Sequence, residues 1–181
     1  RPTAPQLFAL PVAALLVLPV AVTVLPQAAR IAERQAANRL RVTFLDVGQG
    51  DAAVIEAPDG AVCVVAGGGT PGRTERFGGD PGSRVVVPFL RRRGINRITL
   101  LAPSHPDDDH VQGLIAVARA FAADGVLDGG VPDPADRDTA NRRLRDLLHR
   151  RNVQAVTARR GQTITLGTSG VSLDVLHPPQ P

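Results

Sequence analysis

The stretch ITLLAPSHPDDDHVQG, residues 98–113, decides the reading of this chain. Ile98-Thr99-Leu100-Leu101-Ala102 is a nearly continuous apolar run, the pattern of a strand buried on both faces. A helix is expected from Val111 to Ala122, stopped near Gly125. Between them, Ser104-His105-Pro106-Asp107-Asp108-Asp109-His110 crowds two imidazoles and three carboxylates into one strand-to-helix turn. In a turn, side chains from neighbouring positions can converge without helical periodicity. Three adjacent acids repel one another and cost stability unless something positive sits among them. Imidazole nitrogen and carboxylate oxygen at one point suit a divalent ion of borderline-to-hard character. The plainer alternative is an acidic loop with helix-capping aspartates, Asp109 among them. Histidines on both sides and a buried strand leading in favour the metal.

Working outward, Val42–Asp46, Ala52–Glu56 and Ala61–Val65 read as strands, the last two joined by the turn Pro58-Asp59-Gly60. Residues 67–83 are glycine-rich loop, and Val85–Arg93 is a short helix with a proline in its first turns. Thr139–Arg151 is a helix capped by Asp138 or Thr139, with Leu144, Leu147 and Leu148 on one face. Residues 153–156, 163–166 and 171–176 close the chain as strands. The alternation predicts a mixed α/β layer fold.

An apolar content of 43% in 181 residues excludes a disordered chain. All 21 basic residues are arginine, which drives the high isoelectric point; the net charge of +4 permits an anionic partner without demanding one. The single cysteine, Cys63, excludes a disulfide framework and reads as a small core residue in an apolar run. Residues 7–25, LFALPVAALLVLPVAVTVL, carry no charge and as a helix would span about 28 Å, close to a bilayer core. The expected organisation is a transmembrane helix over 1–26, a juxtamembrane linker over 27–40, and a domain over 41–181. Arg30, Arg34 and Arg39 in the linker would meet anionic head groups. With no methionine at position 1, the span is expected to be the last helix of a larger multi-pass membrane protein.

His105-x-Asp107-x-Asp109-His110 resembles the His-x-His-x-Asp-His signature of the metallo-β-lactamase-fold hydrolases, with Asp in the second slot. Together with Phe44-Leu45-Asp46-Val47-Gly48-Gln49-Gly50-Asp51, it is similar to the C-terminal domain of the ComEC family, the DNA channels of natural competence. The resemblance implies the N-terminal part of a metallo-β-lactamase-like αββα sandwich behind a transmembrane helix. It implies a hydrolase with two divalent ions, Zn or Mn, that cleaves phosphodiester bonds of the non-transported DNA strand on the extracytoplasmic face. His105 and Asp107 are assigned to the first ion and Asp109 and His110 to the second, with Asp109 also the catalytic residue. The carboxylate at Asp107 shifts preference towards harder ions such as Mn²⁺. Asp108 is expected to point elsewhere. Asp46, Gln49 and Asp51 stand behind the ligands, Asp51 holding a ligand histidine in one tautomer. Turn caps are the structural alternative for Asp46 and Asp51. Gly48 and Gly50 would let backbone approach closely. The family's further histidine-rich segments are expected beyond Pro181, in the remainder of the polypeptide.

One departure stands out. The family ends the strand after this motif in an Asp followed by glycines, and Val65 occupies that place before Ala66-Gly67-Gly68-Gly69. A valine can neither orient a histidine nor balance metal charge, which favours a catalytically impaired, DNA-guiding module. A small-substrate metallo-hydrolase is a further alternative. His149 is expected on a helix surface and His177 at a strand end, neither a ligand. Arginines at 91–93, 142–145, 150–151 and 159–160 would line a path for a phosphate backbone.

The segment 7–25 is expected to partition into lipid. Chains 1–181 and 38–181 should therefore give a detergent-requiring and a water-soluble product; equal solubility without detergent would refute the span.

Overall fold

The computed structural model describes residues 38–70, 80–129 and 139–177, with isolated helical positions at Pro26, Ala29, Ala32, Glu33 and Ala36. The apolar segment 7–25 lies outside them. Among the described residues, no helix is long and apolar enough to cross a membrane.

The six-stranded sheet runs in chain order from β1 to β6: Arg41–Phe44, Ala53–Glu56, Val62–Val65, Arg97–Ala102, Ala122–Asp128 and Gln154–Thr157. The first three pair antiparallel, and β3 to β6 pair in parallel. Each parallel step crosses over through a helix. The first contains α1 (Val87–Arg92), the second α2 (Asp108–Ala120) and the third α3 (Ala140–Arg150). Crossovers of one hand between consecutive strands bring their helices to one face. Val54, Val62, Val64 and Leu101 accordingly join Leu90, Val111, Leu114, Leu144 and Leu148 in one buried cluster. Strand periodicity sends Cys63, Val65, Leu100 and Ala102 to the opposite face. There a two-stranded hairpin, β7 (Thr163–Thr165) and β8 (Ser172–Asp174), covers them with Ile164, Leu166 and Leu173. Cys63 is fully buried, and burial pushes its thiol up to about 12.

Most expected elements are present, with three differences. The helix expected from Val111 begins at Asp108, because aspartates at a helix N-terminus meet its positive dipole end. It ends at Ala120, and residues that would have prolonged or followed it form β5 instead. The sequence AADGVLD holds two aspartates and a glycine and has little strand propensity; pairing on both sides, with β4 and β6, overrides that. Before α1, Gly82–Val86 winds as a π-helical turn, with Val87 N–H donating to Gly82 O. Pro88 brings no N–H to the following turn, a break in the regular ladder that coincides with this wider turn.

Two polar clamps hold the layers together. Glu56, buried at the end of β2, accepts a fork from Arg93 at the end of α1: Nε to Oε1 at 3.0 Å and Nη2 to Oε2 at 3.1 Å. Asp59, in the β2–β3 turn, accepts from Ala61 N through Oδ1. Its Oδ2 accepts from the Thr168 amide, the Thr168 hydroxyl and the Ser169 amide in the β7–β8 turn.

The Thr168 amide is the main cause holding the Asp59 carboxyl down at about 2, below its ordinary 3.8. The linkage is present above the unfolded value and lost as pH falls through the folded one. Between about pH 4 and pH 2, wild-type thermal midpoints should fall more steeply than those of Asp59→Asn. Parallel pH profiles of the two proteins would show that the clamp contributes nothing.

Candidate metal centre

Strand β4 delivers its carboxyl end to the turn 103–107, and α2 starts at once. Asp107 holds the N-cap position with extended backbone, while its carbonyl accepts from His110 N at 3.0 Å and Val111 N at 3.1 Å. Its side chain makes no cap bond. The carboxylate instead faces His105, with Oδ2 3.5 Å from Nε2. Asp108 turns away, and its Oδ1 accepts from Ala140 N at 3.0 Å, tying this turn to the start of α3. It is a first-turn helical residue, so helix direction and not strand-like alternation separates it from its neighbours. Thr139 caps the same helix by accepting from Arg142 N at 3.1 Å.

His105, Asp109 and His110 come together: one ligand atom from each lies within 4.8 Å of the others. Their burial is graded, from exposed His105 through half-buried Asp109 to buried His110. The two rings lie with centroids 3.7 Å apart, and Asp109 Oδ2 is 3.9 Å from His110 Nε2. Two nitrogen donors and one carboxylate in this space fit a divalent ion. Asp107 sits beside His105 without joining the group of three.

Of the residues expected behind the ligands, Asp51 comes nearest: its Oδ2 is 3.7 Å from His110 Nδ1, and its carbonyl accepts from Gly68 N at 2.8 Å. Gln49 is exposed and engages the site region through its carbonyl, which accepts from Gly69 N at 3.3 Å. Asp46 caps its own turn, accepting from Gly48 N at 3.2 Å. His149 is exposed on α3, and His177 is exposed on the rim of a cavity beside His105. That cavity measures about 400 Å³, and Val65 lines it with Ser104 and His105.

Glycines set the site's position, a role that composition alone does not show. Gly67 N donates to His110 O at 2.8 Å, and Gly113 N donates to Gly68 O at 2.9 Å. The backbone after β3 is thus stitched along the first turns of α2. A Cβ on Gly67 would lie 2.5 Å from Leu114 N, and one on Gly50 only 1.7 Å from Asp109 O. Gly50 also has a φ of 78°, where side chains are strained. Gly48 shares the positive φ, at 80°, but has open space around it, so only Gly50 makes the expected close approach.

Several arginines serve the fold. Arg93 is clamped to Glu56, Arg145 reaches Asp128 at 3.0 Å, Arg97 pairs with Asp124, and Arg151 donates to Ala118 O.

Gly50→Ala should cost about 3 kcal/mol in denaturant unfolding, from left-handed strain plus overpacking against Asp109. Gly48→Ala should cost about 1 kcal/mol, from the backbone alone. Gly50→Ala should also lower bound metal, and equal effects of the two substitutions would refute the close approach.

No protein-family model matches the chain. It is 34% identical over 77 residues to ComE operon protein 3 of Bacillus subtilis (strain 168), a distant match across 39% of this chain and 10% of that protein. Among solved structures, it is similar to the metallo-β-lactamase SMB-1 at 19% identity, covering 70% of this chain and 47% of that one, with a TM-score of 0.45. A metallo-β-lactamase from Cronobacter sakazakii gives 16% identity, 75% and 50% coverage, and a TM-score of 0.47. A diphosphatase of the PhnP family gives 16% identity, 71% and 54% coverage, and a TM-score of 0.39. The chain spans about a tenth of the curated relative and about half of each of these structures.

Proposed function

We propose that this chain carries the ligand-bearing, N-terminal part of a metallo-β-lactamase-like αββα sandwich in a membrane-bound DNA-uptake protein, acting there as a metal-dependent phosphodiesterase. The observation that carries the reading is the convergence of His105, Asp109 and His110 at the carboxyl end of a buried parallel strand. The distant match to ComE operon protein 3 supports a membrane setting with DNA as partner; the extracytoplasmic face is what the resemblance of the motifs implies. The sheet supports the incomplete sandwich. Val42 and Phe44 pair with Ile55 and Ala53, and Val156 pairs with Leu127, on the face that β7 and β8 cover only at its middle. Phe44 is 82% exposed there. Further β structure from the remainder of the polypeptide would cover this strip.

A divalent ion, Zn or Mn, would supply Lewis acidity and a water of lowered pKa. His105 and His110 would hold it through nitrogen, and Asp109 would hold it through oxygen at the reacting centre. Asp107, exposed beside His105, is the residue that would extend the set towards a second ion. Asp51, behind His110, would orient that ring.

A second reading, a small-substrate hydrolase, is favoured by the cavity itself. Among the described residues no arginine lines it, while Asp128 and Asp174 do, with Leu127 and Leu173. Such a lining suits a compact, partly apolar substrate better than a polyanion.

Purified full chain, dialysed against Zn²⁺ or Mn²⁺, should retain metal by elemental analysis and cleave labelled DNA. His105→Ala and Asp109→Ala should each lose most of the metal and the cleavage, and His149→Ala neither. Retained metal in the first two variants would refute the centre. Val65→Asp adds a carboxylate to the cavity, and a gain of about tenfold in metal affinity would mark the wild-type site as impaired. Cleavage of a small diester or ester without DNA cleavage would select the second reading.

A further inference from the structure

Asp108 opens α2, and its side chain serves the start of a different helix: Ala140 N, the first amide of α3, donates to Asp108 Oδ1 at 3.0 Å. Amides in the first turn of a helix have no partner within that helix. In α3, Thr139 Oγ1 accepts from Arg142 N, and Asp108 accepts from Ala140 N across the gap between helices. Ala140 is fully buried, so removing this acceptor leaves a buried donor unsatisfied. One carboxylate thus stands at the positive ends of two helix dipoles.

The same residue immediately precedes Asp109 and His110. Successive side chains on a helix stand about 100° apart, at about 3.6 residues per turn. The direction held at Asp108 therefore sets the directions of the two residues after it. The glycine segment bounds this turn on its other side, where a Cβ on Gly69 would lie 2.0 Å from Asp108 O. That contact limits how near the turn lies to the sheet, and the bond to Ala140 sets its rotation towards α3. Asn141, the next residue of α3, is buried and lines the cavity beside His105. The junction of the two helix starts thus also joins the turn to the cavity wall.

We propose that Asp108 is a positioning residue of the metal centre: as an acceptor shared by two helix starts, it locks the turn that projects Asp109 and His110 against α3. It acts through the hydrogen bond and not through its charge. The effect on binding rests on the metal reading above, whereas the lock is a property of the metal-free chain.

Three variants separate the lock from charge and from ordinary stability. Asp108→Ala removes the acceptor, Asp108→Asn keeps an acceptor oxygen without the charge, and Thr139→Ala weakens α3 at its own cap. In amide hydrogen exchange of the metal-free full chain, resolved by residue, Asp108→Ala should speed exchange at both Ala140 and His110. Thr139→Ala should speed it within α3 alone. Co²⁺ affinity is measured at about 1 M salt, where the Debye length is about 3 Å. It should fall about tenfold in Asp108→Ala. The visible bands of bound Co²⁺, which report ligand geometry, should shift with it. Asp108→Asn should restore affinity, bands and exchange, and Thr139→Ala should leave affinity and bands unchanged. Faster exchange confined to α3 in Asp108→Ala would overturn the proposal, as would unchanged Co²⁺ binding in that variant or a loss that asparagine fails to restore. An equal loss of affinity in Thr139→Ala would overturn it too, because any weakening of α3 would then suffice. A wild type that binds no Co²⁺ would refute the metal reading instead, and the exchange measurements would still decide the lock.

Discussion

The contact on which the site depends is between two pieces of backbone. The glycine segment after β3 lies against the first turns of α2 so closely that a single Cβ at Gly67 or Gly69 would collide with main-chain atoms. Side-chain packing tolerates rearrangement, but backbone against backbone leaves little room to adjust. The two hydrogen bonds that cross this contact, from Gly67 N to His110 O and from Gly113 N to Gly68 O, fix the height of the helix along the sheet. Gly68 and Gly69 then pass the constraint to the loop at 49–51 through the carbonyls of Asp51 and Gln49. Asp109 and His110 are therefore positioned from three directions: by β4 behind them, by the glycine segment beside them, and by the 49–51 loop at Gly50.

The layers around this contact are held by different forces. Helix-side burial is mainly apolar, from Val54 and Val64 to Leu114 and Leu144, and that part of it is non-directional. The geometry that burial leaves open is set by polar clamps at the periphery. Arg93 and Glu56 fix the end of α1 on β2, Asp108 fixes the start of α3 on α2, and Asp59 fixes the β7–β8 turn on the β2–β3 turn. Two of the three aspartates in the acidic run thus face the histidines while the middle one joins helices. The crowding of carboxylates is relieved by dividing them between two tasks.

Much of this was legible in the sequence because the signals were local. A continuous apolar run at 98–102, followed by small and polar turn residues, marks a buried strand and its exit. The histidines and aspartates therefore had to lie at a sheet edge. Leu144 and Leu148 mark the buried face of α3 by their spacing, and Thr139 marks its cap. The illegible parts were those whose cause lies elsewhere in the chain. Strand β5 has weak propensity and exists because β4 and β6 flank it. The helical start at Asp108 competes with a turn reading of the same residues, and the Asp108 side chain's partner, the Ala140 amide, lies thirty-two positions away, where no local pattern shows it. Gly67 and Gly113 carry no visible motif of mutual contact, and a glycine's packing partner leaves no trace in its neighbours. The sign that could have been used was the density of glycines on both sides of one apolar strand.

Strand β1 has a consequence for how the molecule meets its own kind. It is four residues long, pairs on one side only among the described residues, and exposes Val42 and Phe44. An apolar strand with an open edge is a template on which a second chain can add. Arg39 and Arg41 stand exposed at its entry and place like charges where two such edges would meet. Their repulsion weakens as salt rises and the Debye length shortens from about 10 Å at 0.1 M to about 3 Å at 1 M. If two such edges met, the ionic strength of the medium would govern the encounter, with concentrated salt favouring the pairing that the arginines oppose.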